Sequence, residues 1–148
     1  MEGSPGEGRP TERLLHARRL KKKRLIRPLF DRRRRDVRTV ARGCVRILFR
    51  IVPRSETGGP VQVGFAAGRG GNAVRRNRIK RVLREVYRVR QEPLIDLFSA
   101  ADQALTLMVL YRGNIDGDES CIRTDLPNAL RSLMEAASES SASAEQPQ

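Results

Sequence analysis

Hydrophobic positions recur along this chain with two different periods. Over residues 45–52, Val45, Ile47, Phe49 and Ile51 alternate with Arg46, Leu48, Arg50 and Val52, the spacing of a strand whose side chains point to opposite faces in turn. Pro53, Gly58, Gly59 and Pro60 mark a loop, and residues 61–66 read as the second strand of a hairpin. Residues 105–111 are almost continuously apolar, as expected of a strand buried on both faces. The period changes between 72 and 90. On a helix, Ile79, Val82, Leu83 and Val86 share one side there, while Asn77, Lys80, Arg81, Arg84 and Arg88 stack on the other. Asn72 suits the N-cap of this helix, and Pro93 ends any helix before it.

The flanks give weaker signals. Ile26, Leu29 and Phe30 lie at helical spacing, with Pro28 one turn inside, so this first helix either begins late or kinks. Arg32, Arg33, Arg34 and Arg35 then lead into a linker that reaches Gly43. Residues 94–104 form a connector with room for a short helix. Thr124 or Asp125 can cap a last helix with Pro127 in its first turn and Leu126, Leu130, Leu133 and Met134 on one side. The order is helix, two or three strands, basic helix, strand, helix. It predicts an α+β two-layer sandwich over one small mixed sheet. Residues 1–17 read as a disordered basic N-terminal arm, 18–137 as one domain, and 138–148 as a disordered, low-complexity tail.

Composition narrows the function. Only 4% of residues are aromatic and there is no Trp, so the core must be mainly aliphatic. A net charge of +13 calls for a polyanionic partner. The charge falls from +12 over residues 1–50 to +6 over 51–100 and −5 over 101–148, which directs that partner to the first two thirds of the chain. The helix at 72–90 sets Glu85 alone against eight Lys or Arg. A solvated helix face would mix its charges, whereas phosphates neutralise such a column and release condensed counterions.

Other chemistry finds little support in the residues. Two cysteines, Cys44 and Cys121, without a CxxC pair and with the single His16, argue for reduced thiols in a reducing cytoplasm and against a zinc site. The first ten residues lack the basic and apolar regions of a secretory signal, and no apolar run is long enough to span a bilayer. The glycine-rich turn Gly68, Arg69, Gly70, Gly71 lacks the Lys–Ser/Thr of a nucleotide-binding loop. There is no nucleophile–base or carboxylate pair, and the acidic residues gather in the C-terminal third, apart from the cations. The expectation is a protein with no catalytic and no metal-binding residues of its own.

Ala73, Val74, Arg76, Asn77, Arg78, Lys80, Arg81, Arg84 and Glu85 match every defined position of A-V-x-R-N-R-x-K-R-x-x-R-E. That string resembles the RNR signature of the bacterial ribonuclease P protein subunit. Arg19, Leu20, Ile26, Leu29 and Phe30 resemble the family's first-helix pattern, and the apolar run ending in Tyr111 and Arg112 its last strand. The resemblance implies a fold with a left-handed βαβ crossover, an exception to the usual hand. It implies a protein that grips the catalytic RNA of ribonuclease P and the 5′ leader of precursor tRNA, while the RNA cleaves with Mg²⁺ held by RNA and substrate. The RNA-binding residues would be Arg75, Arg76, Asn77, Arg78, Lys80, Arg81, Arg84 and Arg88. Phe30, Phe49, Phe65 and Arg69 would meet the leader. The chain departs from the family at Ile26, where an aromatic is common, and at 67–71, where lysines are usual and only Arg69 is charged. The alternative is a structural RNA-binding protein such as a small ribosomal protein. A helix-turn-helix DNA binder would need two adjacent helices where strands are predicted.

Overall fold

The most apolar stretch takes the most enclosed place. In a computed structural model that describes residues 18–145, apart from 69, 115, 116 and 118, four strands form one sheet. They are β1 (Val37–Arg42), β2 (Val45–Pro53), β3 (Val61–Ala66) and β4 (Gln103–Tyr111), ordered β1-β2-β4-β3. β4 is therefore interior, and residues 104–109 along it are all buried.

β1 and β2 make an antiparallel hairpin about Gly43, whose φ of +55° is the left-handed conformation glycine adopts without strain. β1 had read as linker. It is an edge strand with only Val37, Val40 and Ala41 half-buried, so its alternation is faint in the sequence. The hairpin expected between residues 45–52 and 61–66 does not form. β4 runs antiparallel to β2 and parallel to β3 and so separates them. A parallel neighbour needs a long crossover. That crossover is built from α2 (Ala73–Arg88) and α3 (Glu92–Ser99), which follow the one-turn α1 (Lys23–Ile26) in the chain.

α2 and α3 pack over β3 and β4, while α4 (Ile122–Glu145) crosses β1 and β2. Ile47, Phe49, Val63, Leu107 and Val109 of the sheet meet Ile79, Leu83, Leu94, Phe98, Leu126 and Leu133 of the helices in the main core. The opposite face is covered more thinly. Leu20, Leu25 and Leu29 lie on Leu48 and Met108 there. The Leu20 N–H donates to the Val63 carbonyl at 2.9 Å, and Arg19 bridges Val63, which covers the outer edge of β3. At Pro28 α1 has already ended. It tightens into a 3₁₀ turn (Arg27–Phe30) with Pro28 near its start, where a missing N–H costs little.

α4 starts ahead of the expected cap. Asp125 lies inside its first turn, and its carboxylate accepts the Cys44 N–H at 3.0 Å. The helix continues to Glu145, through most of the stretch expected as tail, while the arm expected at 1–17 lies outside the described residues. Cys44 and Cys121, expected as separate thiols, are joined in a disulfide between the β1–β2 turn and the start of α4. They stand 77 residues apart, so no local spacing announces the pairing.

Candidate nucleic-acid interface

α2 is set by its cap and its apolar stripe. The Asn72 side chain accepts the Arg75 N–H at 2.8 Å, and Ile79, Val82, Leu83 and Val86 face the core as the periodicity predicts, joined by Tyr87. Asn77, Arg78 and Arg81 are exposed, and Arg75, Arg76, Lys80, Arg84 and Arg88 half-buried. The predicted RNA-binding residues thus share one helix, but they are not equally engaged. Arg76 donates to the Gly70 and Gly71 carbonyls at 3.0 and 2.8 Å and braces the turn before the helix. Arg75 and Arg78 each hold one oxygen of Glu119 at 2.7 Å, and Arg75 also donates to the Gly117 carbonyl. The hydrogen bond from Arg78, with help from Arg75, holds the Glu119 carboxyl at about 2 against an ordinary 4.5. Acidic residues of the C-terminal third are therefore not all apart from the cations; folding returns Glu119 to the basic helix.

The turn before α2 explains the absence of lysines there. Gly68, Gly70 and Gly71 take φ of +85°, +87° and +68°, and a Cβ on Gly68 would come 2.8 Å from the Tyr111 carbonyl oxygen. Arg69, expected to meet the leader, lies outside the described residues.

The remaining leader candidates part company. Phe30 is 51% exposed at the mouth of a hollow of about 460 Å³ lined also by Arg32, Arg34, Thr39, Arg46, Leu48 and Leu110. Phe49 lies on the other face of the sheet, 1% exposed in the main core, with the Arg38 guanidinium 5.7 Å from its ring centre. So enclosed a ring has no face left for a base. Phe65, half-buried on that same side, packs edge-on to Tyr87 at 5.7 Å. Phe30 is thus separated from both by the sheet. Arg46 of the hollow is not among the expected site residues, although the alternation of β2 sets it opposite Phe49. Arg50, also opposite Phe49, is paired with Asp36 at 2.8 Å, as is Arg34 at 2.9 Å.

Among the described residues, Cys44, Cys121 and Asp125 are the group whose potential metal-ligand atoms lie within 4.8 Å of one another. The two sulfurs are bonded to each other, which removes the thiolates a zinc ion would need. No described helix is long and apolar enough to cross a membrane.

The family model for ribonuclease P matches residues 14–134. The chain belongs to the bacterial ribonuclease P protein family. Two solved structures are similar to it. The RNase P protein of Staphylococcus aureus aligns at 22% identity and a TM-score of 0.55, over 77% of this chain and 93% of its own. A mutant of that protein with defective mRNA degradation activity aligns at 20% and 0.53, over 88% and 96%. At these identities the structures speak for the fold. No curated protein matches the chain. Membership makes it an RNA-binding ribonuclease P protein subunit, part of an endoribonuclease that processes tRNA.

Proposed function

We propose that this ribonuclease P protein grips the catalytic RNA with the outward side of α2 and the 5′ leader of precursor tRNA with the Phe30 hollow, in the cytoplasm. The observation that carries this reading is the helix itself. One side is sealed in the core while Asn77 and Arg81 stand exposed between half-buried Lys80, Arg84 and Arg88. A column of cations on a rigid, capped helix fits a phosphate backbone, and the amide of Asn77 adds a directional contact. The hollow offers a leader strand one exposed ring for stacking and the Arg32 and Arg46 charges for its phosphates.

Cleavage is assigned to the RNA, with Mg²⁺ held by RNA and substrate. Mg²⁺ wants several oxygen ligands in a regular array. The carboxylates nearest the cations are poorly suited to that, since Asp36 and Glu119 are each clasped by two arginines that would repel a divalent ion. Arg81→Ala with Arg84→Ala tests the helix assignment. Binding to ribonuclease P RNA should weaken, and the slope of log affinity against log salt should flatten by about 0.7–0.9 for each lost phosphate contact. A folded double variant with an unchanged slope would remove α2 from the interface. Purified protein with Mg²⁺ should also leave precursor tRNA intact until the RNA is added.

A further inference from the structure

Glu119 occupies the first half of the basic helix much as a backbone phosphate would. One of its oxygens is 2.7 Å from Arg75 Nη2 and the other 2.7 Å from Arg78 Nε. Two guanidinium groups sharing one oxyanion is also how arginines receive a phosphate. Arg78 is 62% exposed, so this pair sits where RNA would arrive. An exposed ion pair alone is a weak competitor, because water screens it and two long side chains must be ordered. Glu119 is not on an untethered loop, however. It opens a short 3₁₀ turn, Glu119–Cys121, whose last residue is covalently joined to Cys44. Cys44 is in turn fixed to α4 through its N–H on Asp125 at 3.0 Å. A covalent anchor two residues away keeps the carboxylate at high effective concentration beside its arginines.

We propose that the Cys44–Cys121 disulfide is a redox latch on the RNA-binding helix. Closed, it holds Glu119 on Arg75 and Arg78 in the place of a phosphate. Open, it lets the Glu119–Cys121 turn yield both guanidinium groups to RNA. Opening is a thiol–disulfide exchange with a dithiol reductant. The Sγ–Sγ bond takes two electrons and two protons, Cys44 and Cys121 become thiols, and the dithiol closes to its own disulfide. Cys44 and Cys121 are both half-buried rather than sealed in the core, so a small dithiol has a route to them. The Asp125–Cys44 hydrogen bond does not depend on the sulfur bond, so the hairpin turn keeps its anchor when the latch opens.

This inference rests on the assignment of α2 to the RNA, and the experiment separates the two. Full-length protein is oxidised until thiol titration finds no thiol, or reduced with dithiothreitol, and its affinity for ribonuclease P RNA is followed against salt. Reduction should steepen the log–log slope by about 1.4–1.8, two phosphate contacts, and tighten binding by up to about fivefold at 0.1 M salt. Cys44→Ser should match the reduced protein under either condition. Glu119→Gln, which leaves the disulfide intact, should match it even when oxidised. Equal slopes for oxidised and reduced wild type overturn the latch, as do weaker binding on reduction, two titratable thiols after oxidation, or an oxidised Glu119→Gln as weak as the oxidised wild type. Arg81→Ala, which lies outside the latch, serves as the control. If it flattens the slope while redox state does not, the latch alone falls; if it leaves the slope untouched in both states, the RNA face falls with it.

Discussion

One face of the sheet is sealed by three helices, and the other is covered by a single short N-terminal segment. Both draw on the same strand. Leu105, Leu107 and Val109 of β4 go to the sealed side, and Met108 and Leu110 to the thin one. The sealed side takes its apolar residues from every helix but α1. The thin side is covered by Leu20, Leu25 and Leu29, with half-buried Ile26 beside them, which leaves Phe30, Thr39 and Arg46 beside an open hollow. A layer one strand thick thus separates the main core from the open hollow, and a side chain on a strand belongs to one or the other according to the parity of its position.

The largest effect should come from a ring on the sealed side. Phe49→Ala is expected to cost about 3–5 kcal/mol of stability by urea denaturation, because nothing nearby can refill the space. If it unfolds no more easily than wild type yet loses leader binding, the division between faces is wrong. Phe30→Leu should do the opposite. Stability should hardly move, and the holoenzyme should lose about 1–3 kcal/mol in binding precursor tRNA with a long leader, but not with a minimal one. An equal loss on both substrates would make Phe30 a packing residue. Arg46→Ala should act more gently on the same side, flattening the salt dependence of leader binding by about 0.7, one contact with a single strand, and leaving the melting temperature unchanged.

The smallest effect is a pH dependence. The Glu119 carboxyl is lowered in the folded protein to about 2 from 4.5, so its contribution is present above pH 4.5 and is lost as the pH falls toward 2. Solvent screening leaves such a surface pair about 0–1 kcal/mol. Glu119→Gln should therefore narrow the difference in stability between pH 6 and pH 3 by no more than that. A larger change would place the carboxylate in a less screened setting than its exposed partner Arg78 suggests.

What could be read from the chain follows the range over which each signal acts. The cap at Asn72 and the stripe from Ile79 to Val86 are local, and α2 forms as they predict. The apolar run of β4 signalled burial on both faces, which says that layers cover it above and below but not which strands flank it. Strand partners, however, are chosen across the fold, and alternation says which face a residue takes without saying what faces it. β1 was hidden because an edge strand with one half-wet face can be written Val-Arg-Thr-Val-Ala-Arg. Glu119 on Arg75 and Arg78, and Cys44 on Cys121, join residues tens of positions apart. Charge counted by thirds of the chain could not show the first, nor cysteine spacing the second. Phe49 is a different case, since the period of two already set it with Val45 and Ile47, away from Arg46.

The turn ahead of α2 limits what this chain can become. Three left-handed glycines, one of them closed to any Cβ by the Tyr111 carbonyl, leave Gly68, Gly70 and Gly71 with almost no tolerated replacements. A lysine at any of these three positions would strain the backbone before its charge reached a phosphate. New affinity for RNA is open to the chain where side chains can be exchanged without moving the main chain, at exposed positions such as Val74 and Glu85 of α2 and at the outer positions of β1 and β2. Engineering or divergence that strengthens leader binding should therefore accumulate on the thin side of the sheet and leave the glycines untouched.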